Sequence, residues 1–394
     1  MNKLDKKAKV LYVLGSKFPT PKAYGVTCRE TVEVLLGLSH ETRILSYLSD
    51  YTDIDFLTVN SKIISIRTIY ATRLLRNFGV KSTGTFHKAA WKLSLIINLR
   101  LNNRLVNEYS PNIFWTRNSE IANYYLRKYP NSYVILELHQ RGSDKSFKKL
   151  RKFDTNLVIC PINSHLYRSL EKFQFRCEIV KAPMSISEKL VVNNDAIMTF
   201  QNILESRKSS GLKIGYIGKF FPGGYSKGIE DLLYLAKIYS NLHSNNMVIL
   251  TGGDKNEVAQ LKQIAAKLAI AEKNLIISGH VRHSMAIELM KTMDVLVLPL
   301  PVTDSYDGTP IKTLEYCASG KIVVAADAKL YREVFTSSFT PFWYAATNAD
   351  SLYQAIECAV SDLNLHERIL AGVQFASQHT WQKRTEKILE KVTL

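Results

Sequence analysis

The stretch Val295-Leu-Val-Leu-Pro-Leu-Pro-Val-Thr-Asp-Ser-Tyr-Asp-Gly-Thr-Pro-Ile-Lys-Thr-Leu-Glu-Tyr-Cys-Ala-Ser-Gly320 decides the fold. Residues 295–300 form an apolar run typical of a buried strand, and a polar loop follows it. Thr309 is suited to cap a helix that has Pro310 at its first position, and Gly320 is suited to end that helix about three turns later. A strand, a loop and a helix in this order predict one βα unit of a parallel sheet.

The same alternation of apolar runs and helical patterns extends through the 394 residues. Strand-like runs include residues 10–14, 113–116 and 133–138 in the first half, and 213–217 in the second. Two such series, separated by the polar and turn-rich segment 185–211, predict two parallel sheets in two domains. We therefore expect an α/β protein of two doubly wound, Rossmann-like domains that face each other across a cleft, with ligands at the carboxyl ends of the strands.

The composition excludes several classes of protein. With 46% hydrophobic residues, 18 Gly and 11 Pro, the chain is neither collagen-like nor of low complexity. No apolar run reaches the roughly 18 residues of a membrane-spanning helix, and the start lacks the apolar core of a signal peptide. The five cysteines are scattered without a C-x-x-C pair. We expect a cytoplasmic protein with reduced cysteines.

The formal net charge of +17 lies almost wholly in the first half, since residues 1–200 carry +15. Residues 56–107 contain no acidic residue and nine basic ones, the first Lys62 and the last Arg104. Apolar residues at helical spacing lie between these cations and indicate a basic amphipathic helix, which suits an anionic membrane surface. A solvated basic face above a core-facing apolar side fits the pattern equally well. Nucleic acid is disfavoured because no nucleic-acid motif accompanies the charge.

Metal-ligating patterns are weak in this sequence. His280 and His283 are the only close histidine pair, and no third ligand is in view. Asp53-Ile-Asp55 is the only D-x-D, and a solvated turn is the simpler interpretation because no phosphate-binding loop lies near it. We expect no metal and no other cofactor.

A glycine-rich loop follows the strand predicted at 213–217. It carries Gly218-Lys219 and, further on, Lys227-Gly228. Lysines on a glycine loop at the mouth of a sheet suit a diphosphate. The glycine spacing is neither that of a dinucleotide fold nor that of a P-loop, which disfavours hydride transfer and ATP hydrolysis. An ordinary surface loop remains an alternative.

Two carboxylates flank the start of the helix in the 295–320 stretch. Asp307 precedes the helix and Glu315 lies on it. Each can accept hydrogen bonds from a pair of hydroxyl groups, as in a sugar or a ribose. Gly308 would let a ligand approach the main chain, and the helix N-terminus favours an anion. On spacing alone, a capping acid and a helix-surface glutamate without a ligand explain the pattern better.

Two residues of the first half belong to the same hypothesis. Gly25, in the loop before a helix expected near Thr27, could bring backbone amides to a phosphate. His139 closes the strand at 133–138, so it would face the cleft and could bond to a sugar. A connecting loop and a structural histidine are the alternatives.

Taken together, these segments resemble the retaining glycosyltransferases of the GT-B fold, especially glycosyltransferase family 4. Gly218-Lys219 and Lys227-Gly228 are similar to the family's two basic motifs, and Glu137-Leu-His139 to a strand of its acceptor domain. The stretch from Asp307 to Glu315 resembles the family's motif of two acids separated by seven residues. Thr380-Trp381 resembles the start of its last helix.

The resemblance implies a role for each of these residues. Lys219 and Lys227 would neutralise the leaving diphosphate, and Glu315 would hold the ribose. Asp307 would hold hydroxyls of the donor sugar, and His139 would contact the sugar being moved. The residues expected to act in catalysis are Asp307, His139, Lys219 and Lys227. The residues expected to bind the donor are Gly25, Lys219, Lys227, His280, Val281, Gly308, Thr309, Pro310 and Glu315.

The resemblance also implies an overall function. It is that of a metal-independent, retaining glycosyltransferase of polysaccharide biosynthesis, which moves a sugar from a nucleoside diphosphate sugar to a hydroxyl of a glycan or lipid-linked acceptor. The acceptor domain would span 1–190, the donor domain 191–372, and a helix at 373–394 would cross back to the first domain. The protein would be peripheral on the inner face of the plasma membrane.

Two alternatives remain open at this stage. A nucleotide-sugar epimerase of the same architecture would bind the same donor, and a noncatalytic protein would use only the basic face. Asp307 stands where the family commonly has Glu, which leaves the donor sugar open.

Overall fold

The computed structural model describes residues 7–18, 23–48, 63–65, 93, 95–97, 99–153, 155–221, 224–301, 311–335 and 338–392. The chain divides into two compact units. Unit 1 comprises Met1–Pro183 and Trp381–Leu394, and unit 2 comprises Met184–Thr380. From the sequence, these divisions were expected after residues 190 and 372. The divisions differ because the backbone at Ile186 pairs with that at residues 379 and 380, which ties the start of unit 2 to its end.

Unit 1 contains a parallel sheet with seven strands among the described residues, in the order β3-β2-β1-β4-β5-β6-β7. Its strands are β1 (Lys9–Lys17), β2 (Glu41–Leu48), β3 (Ile63–Ser65), β4 (Ile113–Thr116), β5 (Tyr133–Leu138), β6 (Leu157–Pro161) and β7 (Glu178–Ile179). The helices of its first part are α1 (Ala23–Gly37), α2 (Asn103–Tyr109), α3 (Ser119–Lys128), α4 (Asp144–Leu150) and α5 (Ser164–Glu171).

Unit 2 contains a second parallel sheet, in the order β10-β9-β8-β11-β12-β13. Its strands are β8 (Lys213–Ile217), β9 (Met247–Gly253), β10 (Leu275–Gly279), β11 (Val295–Leu298), β12 (Ile322–Ala326) and β13 (Phe342–Tyr344). Its helices are α6 (Asn194–Ser210), α7 (Ile229–Asn241), α8 (Lys255–Lys267), α9 (His283–Thr292), α10 (Ile311–Ala318), α11 (Lys329–Val334), α12 (Ala349–Val360) and α13 (Leu365–Ser377). Short 3₁₀ turns lie at Glu188–Leu190 and Glu272–Asn274.

The last helix, α14 (Trp381–Leu389), belongs to unit 1. It packs against α1, and Ile388 and Leu389 are buried in the same apolar cluster as Val32 and Leu35. The two ends of the chain therefore build one core.

Local sequence explains why these elements form. Strands β11 and β12 are buried along their whole length, as expected for continuous apolar runs in a parallel sheet. Asn118 caps α3 by accepting from two backbone amides, and Asp254 and Glu257 form a capping box on α8. None of the described helices is both long and apolar enough to cross a membrane.

Each sheet has a point at which the strand order reverses. In unit 1 this point lies between β1 and β4, and in unit 2 between β8 and β11. Crevices beyond the carboxyl ends of the strands at such points are where doubly wound sheets bind ligands. The loops after these four strands are therefore the first places to look for a site.

Candidate active site

In unit 2, the loop after β8 is packed closely against the end of β9. The amide of Gly218 donates to the carbonyl of Thr251 (2.7 Å). Gly252 has a φ of +125°, and a Cβ there would lie 2.7 Å from the carbonyl oxygen of Gly218. The backbone at this turn can therefore approach only because side chains are absent.

Lys219 follows this turn and is exposed. Its carbonyl accepts a hydrogen bond from the hydroxyl of Tyr216 (2.9 Å), and the next residue, Phe220, is fully buried. The loop backbone is thus fixed on both sides of the lysine, whose side chain lies at the carboxyl edge of the sheet.

The loop closes at Lys227-Gly228, beside the segment that follows β11. The amide of Lys227 donates to the carbonyl of Phe220 (3.1 Å). Gly228 caps α7 with a φ of +78°, and a Cβ there would lie 3.0 Å from the amide nitrogen of Leu300. The loops after β8 and β11 therefore meet at the reversal point. Burial lowers the pKa of Lys227, and the ammonium of Lys312 lowers it further, to about 8.

Glu315 lies on α10 and is anchored at the same edge of the sheet. Its neighbour Tyr316 is buried, and the Tyr316 hydroxyl accepts from the amide of Ile217 at the end of β8 (2.9 Å). The Glu315 side chain is 11% exposed, with His283 Nε2 and Lys312 Nζ each 4.0 Å from one of its carboxylate oxygens. The structure thus brings β8, α9 and α10 together around this carboxylate.

The remaining residues of unit 2 that were predicted to bind the donor lie elsewhere in that unit or outside the described residues. His280 and Val281 follow β10, with His280 exposed and Val281 half-buried. Of the close histidine pair, His283 is the one recorded beside Glu315. Asp307, Gly308, Thr309 and Pro310 lie outside the described residues, as do Asp53, Asp55 and most of the basic segment from Lys62 to Lys92.

In unit 1, a buried carboxylate organises the carboxyl ends of β4 and β5. Glu137 is fully buried and accepts from Arg117 Nε (2.9 Å) and from Arg384 of α14 (2.8 Å). His139 Nε2 lies 3.0 Å from the same carboxylate. Burial alone would raise the pKa of Glu137, but the guanidinium groups of Arg384 and Arg117 outweigh it and hold the pKa well below its usual range.

The same surroundings define the state of His139. Burial lowers the pKa of its imidazole, and the charge of Arg117 adds to this effect despite the nearby carboxylate. A neutral imidazole next to an ionised carboxylate donates from Nε2, so its Nδ1 is the acceptor. His139 is thus held as a neutral acceptor at the end of β5, with a quarter of its side chain exposed.

Gly25 lies in the first turn of α1, because this helix begins at Ala23 and not near Thr27 as the sequence analysis expected. It is therefore among the positions whose amides have no partner within the helix. The carbonyl of Tyr24 accepts from Arg117 (3.4 Å), which ties this turn to the end of β4.

Four charged residues around Glu315 and Glu137 were given no role on the basis of the sequence. Lys312 is three residues before Glu315, and this helical spacing was the only signal for it. His283, Arg117 and Arg384 reach their clusters only through the fold. Among the described residues, no group of three or more His, Cys, Asp or Glu side chains could hold a metal ion.

Two doubly wound units with these sites define a class of protein, the α/β proteins of the GT-B fold. A glycosyltransferase from Rickettsia africae has a TM-score of 0.68 at 16% identity, covering 97% of this chain and 96% of that one. Anabaena HepE, solved in complex with UDP and glucose, has a TM-score of 0.62 at 13% identity, covering 97% of this chain and 98% of that one. The predicted fold class is confirmed.

The sequence of the second unit matches a family model over part of the chain. Residues 205–371 match the family described as "Glycosyl transferases group 1". An N,N'-diacetylbacillosaminyl-diphospho-undecaprenol alpha-1,3-N-acetylgalactosaminyltransferase of Campylobacter jejuni is 26% identical over 146 residues, which are 36% of this chain and 34% of that relative. The predicted resemblance to GT-B glycosyltransferases is confirmed by the fold and by this family match.

Proposed function

We propose that this protein transfers a sugar from a nucleoside diphosphate sugar to a hydroxyl group of a glycan or lipid-linked acceptor, with retention at the anomeric carbon. The proposal rests on the carboxyl edge of the sheet in unit 2, at the point between β8 and β11 where the strand order reverses. There, two loop lysines, Lys219 and Lys227, and the nearly buried carboxylate of Glu315 lie around the ends of β8 and β11.

The chemistry of the donor explains this set of groups. When the bond from the anomeric carbon to the phosphate breaks, negative charge grows on the departing nucleoside diphosphate. Fixed ammonium groups therefore stabilise the transition state more than the ground state. A carboxylate such as Glu315 accepts hydrogen bonds from the two ribose hydroxyls and so orients the nucleotide.

We assign the acceptor to unit 1, where Nδ1 of His139 would accept a hydrogen bond from a hydroxyl of the sugar being moved. The carboxylate that holds this ring is paired with two guanidinium groups, so it is not available as a base. The proposal therefore includes no strong general base, in keeping with retention, and no metal, since lysine cations take the charge of the leaving group. The relative of Campylobacter jejuni, whose name includes a lipid diphosphate, supports a lipid-linked acceptor.

A thermal-shift screen tests the donor. One nucleoside diphosphate and its sugars, among the uridine, guanosine, adenosine, cytidine and thymidine series, should raise the Tm of unit 2 by about 5 °C at 100 times its Kd. The shift should persist with a chelator and should fall by about half or more in Glu315→Gln at the same ligand concentration. A shift that requires a divalent metal, or no shift at all, would contradict the proposal.

Product analysis tests the reaction itself. With the donor identified, a hydroxyl acceptor should yield a glycoside of the donor's own anomeric configuration by NMR. Incubation with the donor alone should leave the sugar unchanged, because isomerisation without an acceptor would indicate an epimerase.

We further propose that unit 1 docks on an anionic membrane. The described helical residues between 93 and 105 expose an apolar surface beside the exposed Arg100 and Arg104. Its members are Leu93 (58% exposed), Ile96 (36%), Leu101 (58%) and Leu105 (38%). An apolar surface bordered by arginines suits the boundary between lipid headgroups and acyl chains. Such a position would make the protein a peripheral one at the inner face of the membrane.

Liposome co-sedimentation tests this docking. Binding should be stronger to vesicles with phosphatidylglycerol than to pure phosphatidylcholine, and should weaken at high salt. The double change Leu101→Ser and Leu105→Ser should weaken it by tenfold or more, because a leucine side chain gains about 1.5–3 kcal/mol on full burial. Leu242→Ser, at an equally exposed leucine (58%) of unit 2, is the matched control. Equal binding to both lipids, or an equal effect of the control, would contradict the proposal.

A further inference from the structure

Lys312 reaches the loop after β8 from a different element of unit 2. It is the second residue of α10, and its side chain lies across Gly218. A Cβ placed on Gly218 would contact Cε of Lys312 and would lie 3.1 Å from its Nζ. The missing side chain at Gly218 therefore leaves the space through which the lysine stem passes. Its ammonium group ends at the carboxyl edge of β8.

The ammonium of Lys312 has charged neighbours of both signs among the described residues. The carboxylate of Glu315 is 4.0 Å from Lys312 Nζ, which is too long for a hydrogen bond. The same carboxylate has His283 at 4.0 Å on its other oxygen. Lys227 lies close enough to Lys312 that the charge of Lys312 lowers the pKa of Lys227. Two ammonium groups therefore lie near each other beside the loop after β8, an arrangement that suits a multiply charged anion.

We propose that Lys312 is a third phosphate-binding cation of the donor site and contacts the diphosphate of the nucleotide together with Lys219 and Lys227. This inference rests on the proposed function and deepens it. It makes one face of α10 recognise both parts of the ligand, with Lys312 on the phosphates and Glu315, three residues later, on the ribose. The side chain of Lys312 is 35% exposed, so the ammonium can be reached by a ligand.

Titration calorimetry on the full chain tests the role of Lys312. The first ligand is whichever of UDP, GDP, ADP, CDP and dTDP the wild type binds best, and the second is the corresponding nucleoside. NMR titration replaces calorimetry where binding is weak. Lys312→Met keeps the stem over Gly218 and removes the charge. We expect diphosphate affinity to fall about 10- to 100-fold, as for the loss of a charge-assisted hydrogen bond, and nucleoside affinity to stay within twofold.

Two further variants separate charge from structure. Lys312→Arg should keep most of the diphosphate affinity, because it keeps the charge. Lys208→Met should bind as the wild type does, because Lys208 lies near the end of α6, shortly before the start of β8 and so at the opposite edge of the sheet. The Tm of all three variants without ligand should match that of the wild type.

The possible results separate this inference from the proposed function. Unchanged diphosphate affinity in Lys312→Met would overturn the inference and leave the proposed function standing. An equal loss for nucleoside and diphosphate would also overturn it, since the lysine would then act through Glu315 or the fold. A wild type that binds none of the five diphosphates would overturn the proposed function and this inference with it.

Discussion

Replacing Lys227 with Met is expected to lower kcat/KM by about 100- to 1,000-fold, the usual effect of removing one preorganised group that stabilises developing negative charge. The stability of the protein should not fall with it. Burial and the charge of Lys312 disfavour the ammonium in the fold, lowering its pKa to about 8, so an uncharged side chain of similar length is tolerated. The measurement pairs steady-state kinetics on the identified donor with the unfolding midpoint.

The same pKa gives a second readout of this site. In the wild type, Lys227 is mostly charged at pH 7 and mostly neutral at pH 9. Nucleoside diphosphate affinity should therefore fall as pH rises through 8, by up to about tenfold per pH unit, because Lys227 must then take up a proton from solvent when the ligand binds. In Lys227→Met this dependence should be lost between pH 7 and 9. Kinetics within threefold of the wild type, or an unchanged pH dependence, would contradict the role of this lysine.

Replacing Glu137 with Gln is expected to lower the free energy of unfolding of unit 1 by about 3–5 kcal/mol at pH 7, because it leaves the buried guanidinium of Arg384 and the partly buried one of Arg117 without a carboxylate. The Glu137 side chain is fully buried, and Arg384 is 3% exposed, so water cannot replace the lost partner. Denaturant unfolding followed by the tryptophans of unit 1 measures the change. Nucleotide binding by unit 2 should survive in native conditions.

The control for this prediction is Glu178→Gln in β7. Glu178 pairs with Lys391 at 3.9 Å, but its side chain is 60% exposed, so the change should cost under about 1 kcal/mol. The stabilisation by Glu137 should be complete above the unfolded-state pKa of about 4.3 and should be lost only as pH falls through its lower folded-state pKa. A loss below about 1 kcal/mol in Glu137→Gln at pH 7 would refute the assignment of this carboxylate as the centre of the cluster.

Much of the fold could be predicted because buried parallel strands can be recognised from short stretches of sequence. The apolar runs that became β8, β11 and β12 are buried throughout or nearly so, and their burial requires continuous hydrophobic sequence. Two strands of the structure, β3 and β13, were not predicted. Each has three residues and lies at a sheet edge, where a short strand needs no long apolar run.

The sites were predictable only in part, for a different physical reason. Lys219 follows β8, Lys227 precedes α7, and Glu315 lies on the helix after β11. Their positions along the chain therefore already indicated the carboxyl edge of the sheet. Arg384 instead reaches Glu137 across 247 residues, and an arginine on a polar helix gives no local sign of such a partner. His139 was predicted to close its strand, but its protonation state depends on Arg117, which lies on another strand end.

The place of α14 in unit 1 has a consequence for how the protein is made. The ribosome completes the sheet of unit 1 long before it reaches Arg384, Ile388 and Leu389, which finish the charge balance and the core of that unit. Unit 2, by contrast, is contiguous and can fold as soon as Thr380 has emerged. The half of the molecule that is translated first is therefore the half that matures last, and a nascent chain stalled short of residue 384 holds Glu137 without one of its two arginines.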